Sequence, residues 1–239
     1  MKIEKISVID QVVDEIKQTI INQELKAGDK LASESEMAEL YGVNRLSVRM
    51  ALQKLSTLGV IRTRAGDGSY VTDFSMYPVI NEIVDFYMSE DKIAEVQQMR
   101  RLLELECVAL AAKLSTDEEK EELKRCLDVY YEARALMMDK DEKALTEKTI
   151  EADFAFHSQI IRMSHNRLFE EVYYMVQKLI RAHISLLFTK RKELTRQMGS
   201  GSVDGHYFIY EGICQGDVEK AQKFMEEVLD IIPPTIQFD

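Results

Sequence analysis

At 239 residues the chain has material for two domains, each with its own core. Its 31 Lys+Arg against 42 Asp+Glu leave a net charge of −11, which excludes a protein that holds nucleic acid through a global basic field. It has no run of 18 apolar residues and no charged-then-apolar start, and its three cysteines, Cys107, Cys126 and Cys214, are widely spaced; no membrane partner, reduced thiols and a cytoplasmic setting are expected.

Residues 8–22 repeat apolar side chains at Ile9, Val12, Val13, Ile16 and Ile20, the spacing of an amphipathic helix. Ser33 followed by Glu36 is a capping box and starts a second helix. Gly42 suits a left-handed stop, Asn44 caps a third helix, and Gly59 ends it. On a 100°-per-residue wheel with Arg45 at zero, Val48, Ala51, Leu52 and Leu55 fall between about 240° and 340°. Arg45, Arg49, Gln53 and Ser56 fall between 0° and about 80°, a polar face beside the buried one. Two forked donors one turn apart can reach guanine edges and phosphates in a major groove. A hairpin follows, turning at Ala65-Gly66-Asp67-Gly68 and carrying Arg62 and Arg64. Such an arginine pair on a lone helix is usually a solvated face; after a helix-turn and before a basic hairpin it reads as a DNA contact. Residues 1–74 hold 10 Lys+Arg and 11 Asp+Glu, so affinity must come from local placement.

These residues carry a resemblance. Gly28, Leu31, Glu34, Ala38, Gly42, Val43, Arg45, Val48, Arg49, Ala51, Leu52, Leu55, Gly59, Gly66, Gly68 and Val71 stand in the order found in the DNA-binding domain of the GntR family of bacterial transcription regulators. The chain departs from that pattern at Ala32, Asn44 and Ser35, where Pro, Ser and, in some branches, Arg are usual. The resemblance implies a winged helix-turn-helix of three helices plus a β-hairpin wing. It also implies DNA contacts from Arg45, Ser47, Arg49, Gln53, Arg62, Arg64 and Gly66.

After a short junction at residues 74–78 the periodicity is helical almost to the end. Helices are expected over 79–88, 91–113, 116–138, 141–164, 166–192, 202–215 and 217–232. The fold class is therefore mainly α: a winged helix-turn-helix over 1–74 and an all-helical bundle of six to seven helices over 75–239.

Three of the four histidines point toward apolar stripes. Asp153 and His157 lie one turn apart among Ile150, Phe156, Ile160 and Ile161; His183 lies among Val176, Leu179, Ile180 and Leu187; His206 lies among Val203, Ile209, Tyr210 and Ile213. Buried ionisable groups need partners. Either these histidines are satisfied by Asp153 and by hydroxyls of Tyr173, Tyr207 or Tyr210, or Asp153, His157 and His206 hold a divalent ion such as zinc, nickel or manganese. His183 is a candidate to substitute as a ligand. Arg100 stands at the edge of its helix's apolar face, where a surface ion pair is the plain reading; Arg101 is expected to face solvent.

Arg100-Arg101-Leu102-Leu103-Glu104, with Asp153–His157, Asn166 and His206, is similar to the FCD ligand-binding domain of the FadR-type branch. That resemblance implies metal ligands at Asp153, His157 and His206, with Val228 replacing the family's fourth. It also implies that Arg100, and by neighbourhood His183, meets a carboxylate effector. The expected function is a homodimeric regulator binding a pseudo-palindromic duplex operator, its affinity set by a small carboxylate-type metabolite. The alternatives are a metal-free FadR-like sensor of acyl-CoA or lipid, and, from the Asp/His cluster alone, a metal-dependent hydrolase. No nucleophile elbow, phosphate loop or separate general base accompanies that cluster, so no enzyme is expected.

Overall fold

The computed structural model describes residues 7–76, 79–80, 84–87, 90–139, 143–198 and 204–229. The chain divides into two compact units, Met1–Glu82 and Ile83–Asp239.

In the first unit α1 spans Val8–Ile21, α2 Glu34–Tyr41 and α3 Arg45–Thr57. The capping box forms as read: the Glu36 N–H donates to Ser33 Oγ (3.3 Å) and the Ser33 N–H to Glu36 Oε2 (2.7 Å). Gly42 at φ 64° stops α2, and Asn44 Oδ1 accepts from the Ser47 N–H at 2.8 Å to start α3. The two caps fix a tight turn, each contributing about 1 kcal/mol. Val48, Ala51, Leu52 and Leu55 bury their stripe in one core with Val12, Val13 and Ile16 of α1. Strands β1 (Ile61–Arg64) and β2 (Gly68–Val71) pair antiparallel from Ile61↔Val71 to Arg64↔Gly68. The other edge of β2 is also occupied. The Leu31 N–H donates to Ser69 O (2.8 Å) and the Val71 N–H to Asp29 O (2.9 Å), stitching the wing to the segment that enters α2.

The second unit contains α4 (Glu90–Leu114), α5 (Asp117–Asp139), α6 (Lys143–Met163), α7 (Arg167–Met175), α8 (Gln177–Met198), α9 (His206–Gln215) and α10 (Val218–Leu229). Helix α4 packs against α6, α8, α9 and α10, so it is surrounded by other helices and carries polar side chains in the interior.

Three expectations change. The single helix expected over 166–192 is two, α7 and α8, parted at Val176 (φ −106°, ψ 16°); no Gly or Pro marks that break. The helix expected over 79–88 falls partly outside the described residues, and its described part includes a 3-10 turn at Val84–Tyr87. Arg101 does not face solvent freely but pairs with Glu226 of α10.

Gly212 of α9 allows a close approach to α10. A Cβ there would sit 2.8 Å from the backbone N of Ala221 on α10. Gly212→Ala should therefore cost the helical unit about 1–3 kcal/mol through forced separation of the two helices. Urea unfolding followed by hydrogen exchange should show the loss in α9 and α10, with α1–α3 protection unchanged.

Candidate functional site

Two constellations stand out, one in each unit. In the first, α3 and the wing border an open groove of about 860 Å³. Arg49, Gln53, Arg64 and Gly66 line it together with Lys30 and Glu34. Arg45 and Arg62 are exposed but do not line it, and Ser47 is half-buried, about 160° around α3 from Arg45. Of the seven expected contacts, four share one groove.

The cations of this face are held by acids. Arg49 meets Glu34 side-on, Nε to Oε1 at 2.9 Å and Nη2 to Oε2 at 2.7 Å. Arg45 Nη2 stands 3.8 Å from the same Oε2. Glu34 is held below its ordinary pKa by the Arg49 hydrogen bonds, against the opposing effect of burial. On the wing, Asp67 takes Lys30 Nζ at 3.1 Å and the Tyr70 hydroxyl at 2.9 Å, with Arg64 3.9 Å away and stacked over the Tyr70 ring. Sequence reading missed Lys30, Glu34 and Asp67 as members of this face; of the three, Glu34 had a signal in its place in the family pattern.

In the second unit Asp153, His157 and His206 are buried and converge, each offering one ligand atom, all within 4.8 Å of one another. Asp153 and His157 come from α6, and His206 opens α9. Asp153 Oδ1 lies 3.3 Å from His206 Nε2, and Oδ2 lies 3.7 Å from His157 Nε2. The far nitrogens are committed elsewhere: His157 Nδ1 to Glu104 Oε2 at 2.5 Å and His206 Nδ1 to Asp204 Oδ1 at 2.5 Å. Tyr130 donates its hydroxyl to Asp204 at 2.9 Å, and Arg134 pairs with the same carboxylate.

The partners differ from those expected. Carboxylates satisfy His157 and His206, not tyrosine hydroxyls. Arg100 is no surface ion pair: it is 1% exposed, its Nε 2.6 Å from Glu104 Oε1 and its Nη1 3.2 Å from His183 Nδ1. Among the described residues His183 does not join the cluster of Asp153, His157 and His206. Because Arg100 can only donate, His183 Nδ1 must accept, so its proton sits on Nε2 and that nitrogen has no lone pair for a metal. Val228, 5% exposed, presses on the backbone before His206: a Cβ on Gly205 would meet its Cγ2 at 2.7 Å. Glu104 and Asp204 were missed. Glu104 could have been found from its place one turn after Arg100 on an interior helix; Asp204 had no signal beyond lying two residues before His206.

The electrostatics follow from burial against pairing. Burial alone would raise Glu104, but Arg100 and His157 hold it down at about 2. Burial likewise opposes Asp153, yet His206 first, then His157 and Arg100 beside it, keep the carboxyl well below its usual range. Arg100, Asp153 and His157 line a cavity of about 10 Å³ closed by Ile184, Leu187, Phe188 and Val228.

Residues 8–71 match the model of the bacterial regulatory proteins of the gntR family, and residues 95–230 that of the FCD domain. The chain is 29% identical over 212 residues to the HTH-type transcriptional regulator LutR of Bacillus subtilis (strain 168), covering 86% of this chain and 90% of LutR. It is 27% identical over 233 residues to the HTH-type transcriptional repressor NanR of Enterobacter sp. (strain 638), covering 95% and 84%. Among solved structures, Streptococcus agalactiae GntR aligns at TM-score 0.67 and 22% identity, covering 94% of this chain and 98% of that one, a likeness of fold.

His183 carries a pH consequence. Burial first, and the Arg100 charge second, push its pKa down to about 3. A folded-state value below the unfolded one contributes stability that is complete above about 6.5 and is lost as pH falls toward 3. His183→Asn, which keeps an acceptor for Arg100, should therefore flatten the fall of urea stability between pH 6.5 and 4.5; an unchanged slope would count against a neutral His183.

Proposed function

Because the chain belongs to the GntR family of bacterial regulatory proteins and carries the FCD domain, it is a DNA-binding transcription regulator, and we propose that α3 and the wing read the duplex while a small carboxylate-bearing effector, met by a divalent metal at Asp153, His157 and His206, sets how tightly they do so. One short recognition helix covers too few base pairs for useful discrimination, so the working form is a homodimer on a pseudo-palindromic operator.

The observation that carries the metal reading is the commitment of both Nδ1 atoms to buried carboxylates. With Nδ1–H donating, each neutral imidazole turns an Nε2 lone pair toward Asp153. His157 Nε2 is buried with no hydrogen-bond partner. Three acceptors facing one another in the interior call for a cation between them, and the donor set of two imidazoles and one carboxylate suits zinc, nickel or manganese. When bound, such an ion supplies a fixed positive charge for an effector carboxylate. Glu104 and Asp204 orient the two imidazoles, and Arg100, braced by Glu104 and His183, borders the same cavity. The charged lining of this cavity favours a compact polar effector over a long acyl chain; it is about the size of one water, so the Ile184, Leu187 and Phe188 side chains of α8 must move to admit any effector. LutR and NanR are transcription regulators, which favours sensing over hydrolysis at this cluster.

Protein purified without added metal should carry about one zinc, nickel or manganese per chain by mass spectrometry. After chelation, Glu104→Gln or Asp204→Asn should weaken rebinding about 10–100-fold while keeping the ligands. Affinity should fall with acidification, because protons compete with the metal for its ligands. Chelated protein that takes up none of the three ions would sink the reading.

For the DNA face, Arg45→Ala or Arg49→Ala should each weaken binding to a duplex selected by the parent protein from a randomised library by about 1–3 kcal/mol. Fluorescence anisotropy measures this directly, and two variants binding like the parent would displace the assigned register.

A further inference from the structure

We infer that Glu34 is a specificity-determining positioning residue, which clamps Arg49 so that only the end of its guanidinium is offered to DNA. The inference rests on the reading of α3 as the DNA-reading helix. Glu34 is the first residue of α2, and its side chain lines the groove with Arg49. A guanidinium has two bidentate edges. The side edge is spent on Glu34, through Nε at 2.9 Å and Nη2 at 2.7 Å. The Nη1 and Nη2 end remains, and this fork matches the paired acceptors of a guanine edge or a phosphate. A free arginine on a helix surface samples many rotamers and meets any phosphate; a clamped one presents a single geometry.

Charge points the same way. Glu34 also stands 3.8 Å from Arg45, so the trio carries one net positive charge and not two. Counterion release, the source of sequence-independent affinity, is reduced accordingly, while the directional contact is kept. An acid in the middle of a phosphate-facing groove thus costs bulk affinity and improves discrimination. Asp67 does the same kind of holding on the wing, but its grip on Arg64 is looser, at 3.9 Å.

The test uses the full-length protein, anisotropy titrations over a salt series, and two probes: the library-selected duplex and poly(dI-dC). Glu34→Gln should bind poly(dI-dC) several-fold tighter, with a log–log salt slope steeper by about 0.9, one more phosphate neutralised. The affinity ratio between the probes should fall about tenfold. Glu34→Asp keeps the charge but shortens the reach; its slope should stay with the parent while its ratio falls. In an Arg49→Ala background Glu34→Gln should change the ratio less than twofold. A ratio unmoved by both Glu34 variants, or a fall as large in the Arg49→Ala background as in the parent, would overturn the proposal. Arg49→Ala binding the selected duplex as tightly as the parent would instead remove the reading of α3 on which it rests. Circular dichroism melts of each variant separate loss of fold from loss of discrimination.

Discussion

The helical unit is organised around a chain of buried ionic contacts that runs from His183 through Arg100, Glu104, His157, Asp153 and His206 to Asp204. Any one of these groups left alone in an apolar interior would cost several kcal/mol; the pairings of Arg100 with Glu104, Glu104 with His157 and Asp204 with His206 offset that cost, while His157 Nε2 keeps no hydrogen-bond partner. The requirement is geometric before it is energetic. Helices α4, α6, α8 and α9 must be at the right height relative to one another for the contacts to close, so the network specifies register among helices whose apolar surfaces would tolerate several. A domain held this way is suited to sensing, since an ion or an anion inserted into the chain changes the balance for all its members at once.

The DNA-reading unit solves an opposite problem. Its 11 acids slightly outnumber its 10 bases, so long-range attraction to phosphate is weak. Its acids, however, lie next to its cations. Glu34 holds Arg49 and approaches Arg45; Asp67 holds Lys30 and the Tyr70 hydroxyl. The pairing of the 28–31 segment with β2 ties the wing to the start of α2, so the two walls of the groove are fixed by main-chain bonds. The cations of this groove are thus placed by neighbouring acids, in a chain whose overall charge is strongly negative.

Much of this was legible in the sequence because it depends on local rules. The capping box at Ser33 and Glu36, the left-handed Gly42 and the Asn44 cap each arise from neighbouring residues, and each formed as expected. The buried stripe of α3 follows from helical period alone. Asp153 and His157 could be placed together for the same reason, and His206 was drawn to them by its apolar surroundings and the family pattern. The split of one helix at Val176 was not legible, since neither Gly nor Pro marks it.

By itself, then, the sequence determined the kind of protein this is: a helix-turn-helix with a wing, a helical second unit, and an Asp/His cluster in its interior. Periodicity, capping and turn chemistry act within a few residues, and those survive translation into a string. The tertiary structure alone decided the partners. That Glu104 and not a tyrosine takes His157, that Arg100 reaches His183, whose proton must then sit on Nε2, and that Glu34 grips Arg49 are facts about residues between 15 and 83 positions apart. Such contacts depend on which helix faces which at a given height, and no period in the chain encodes that.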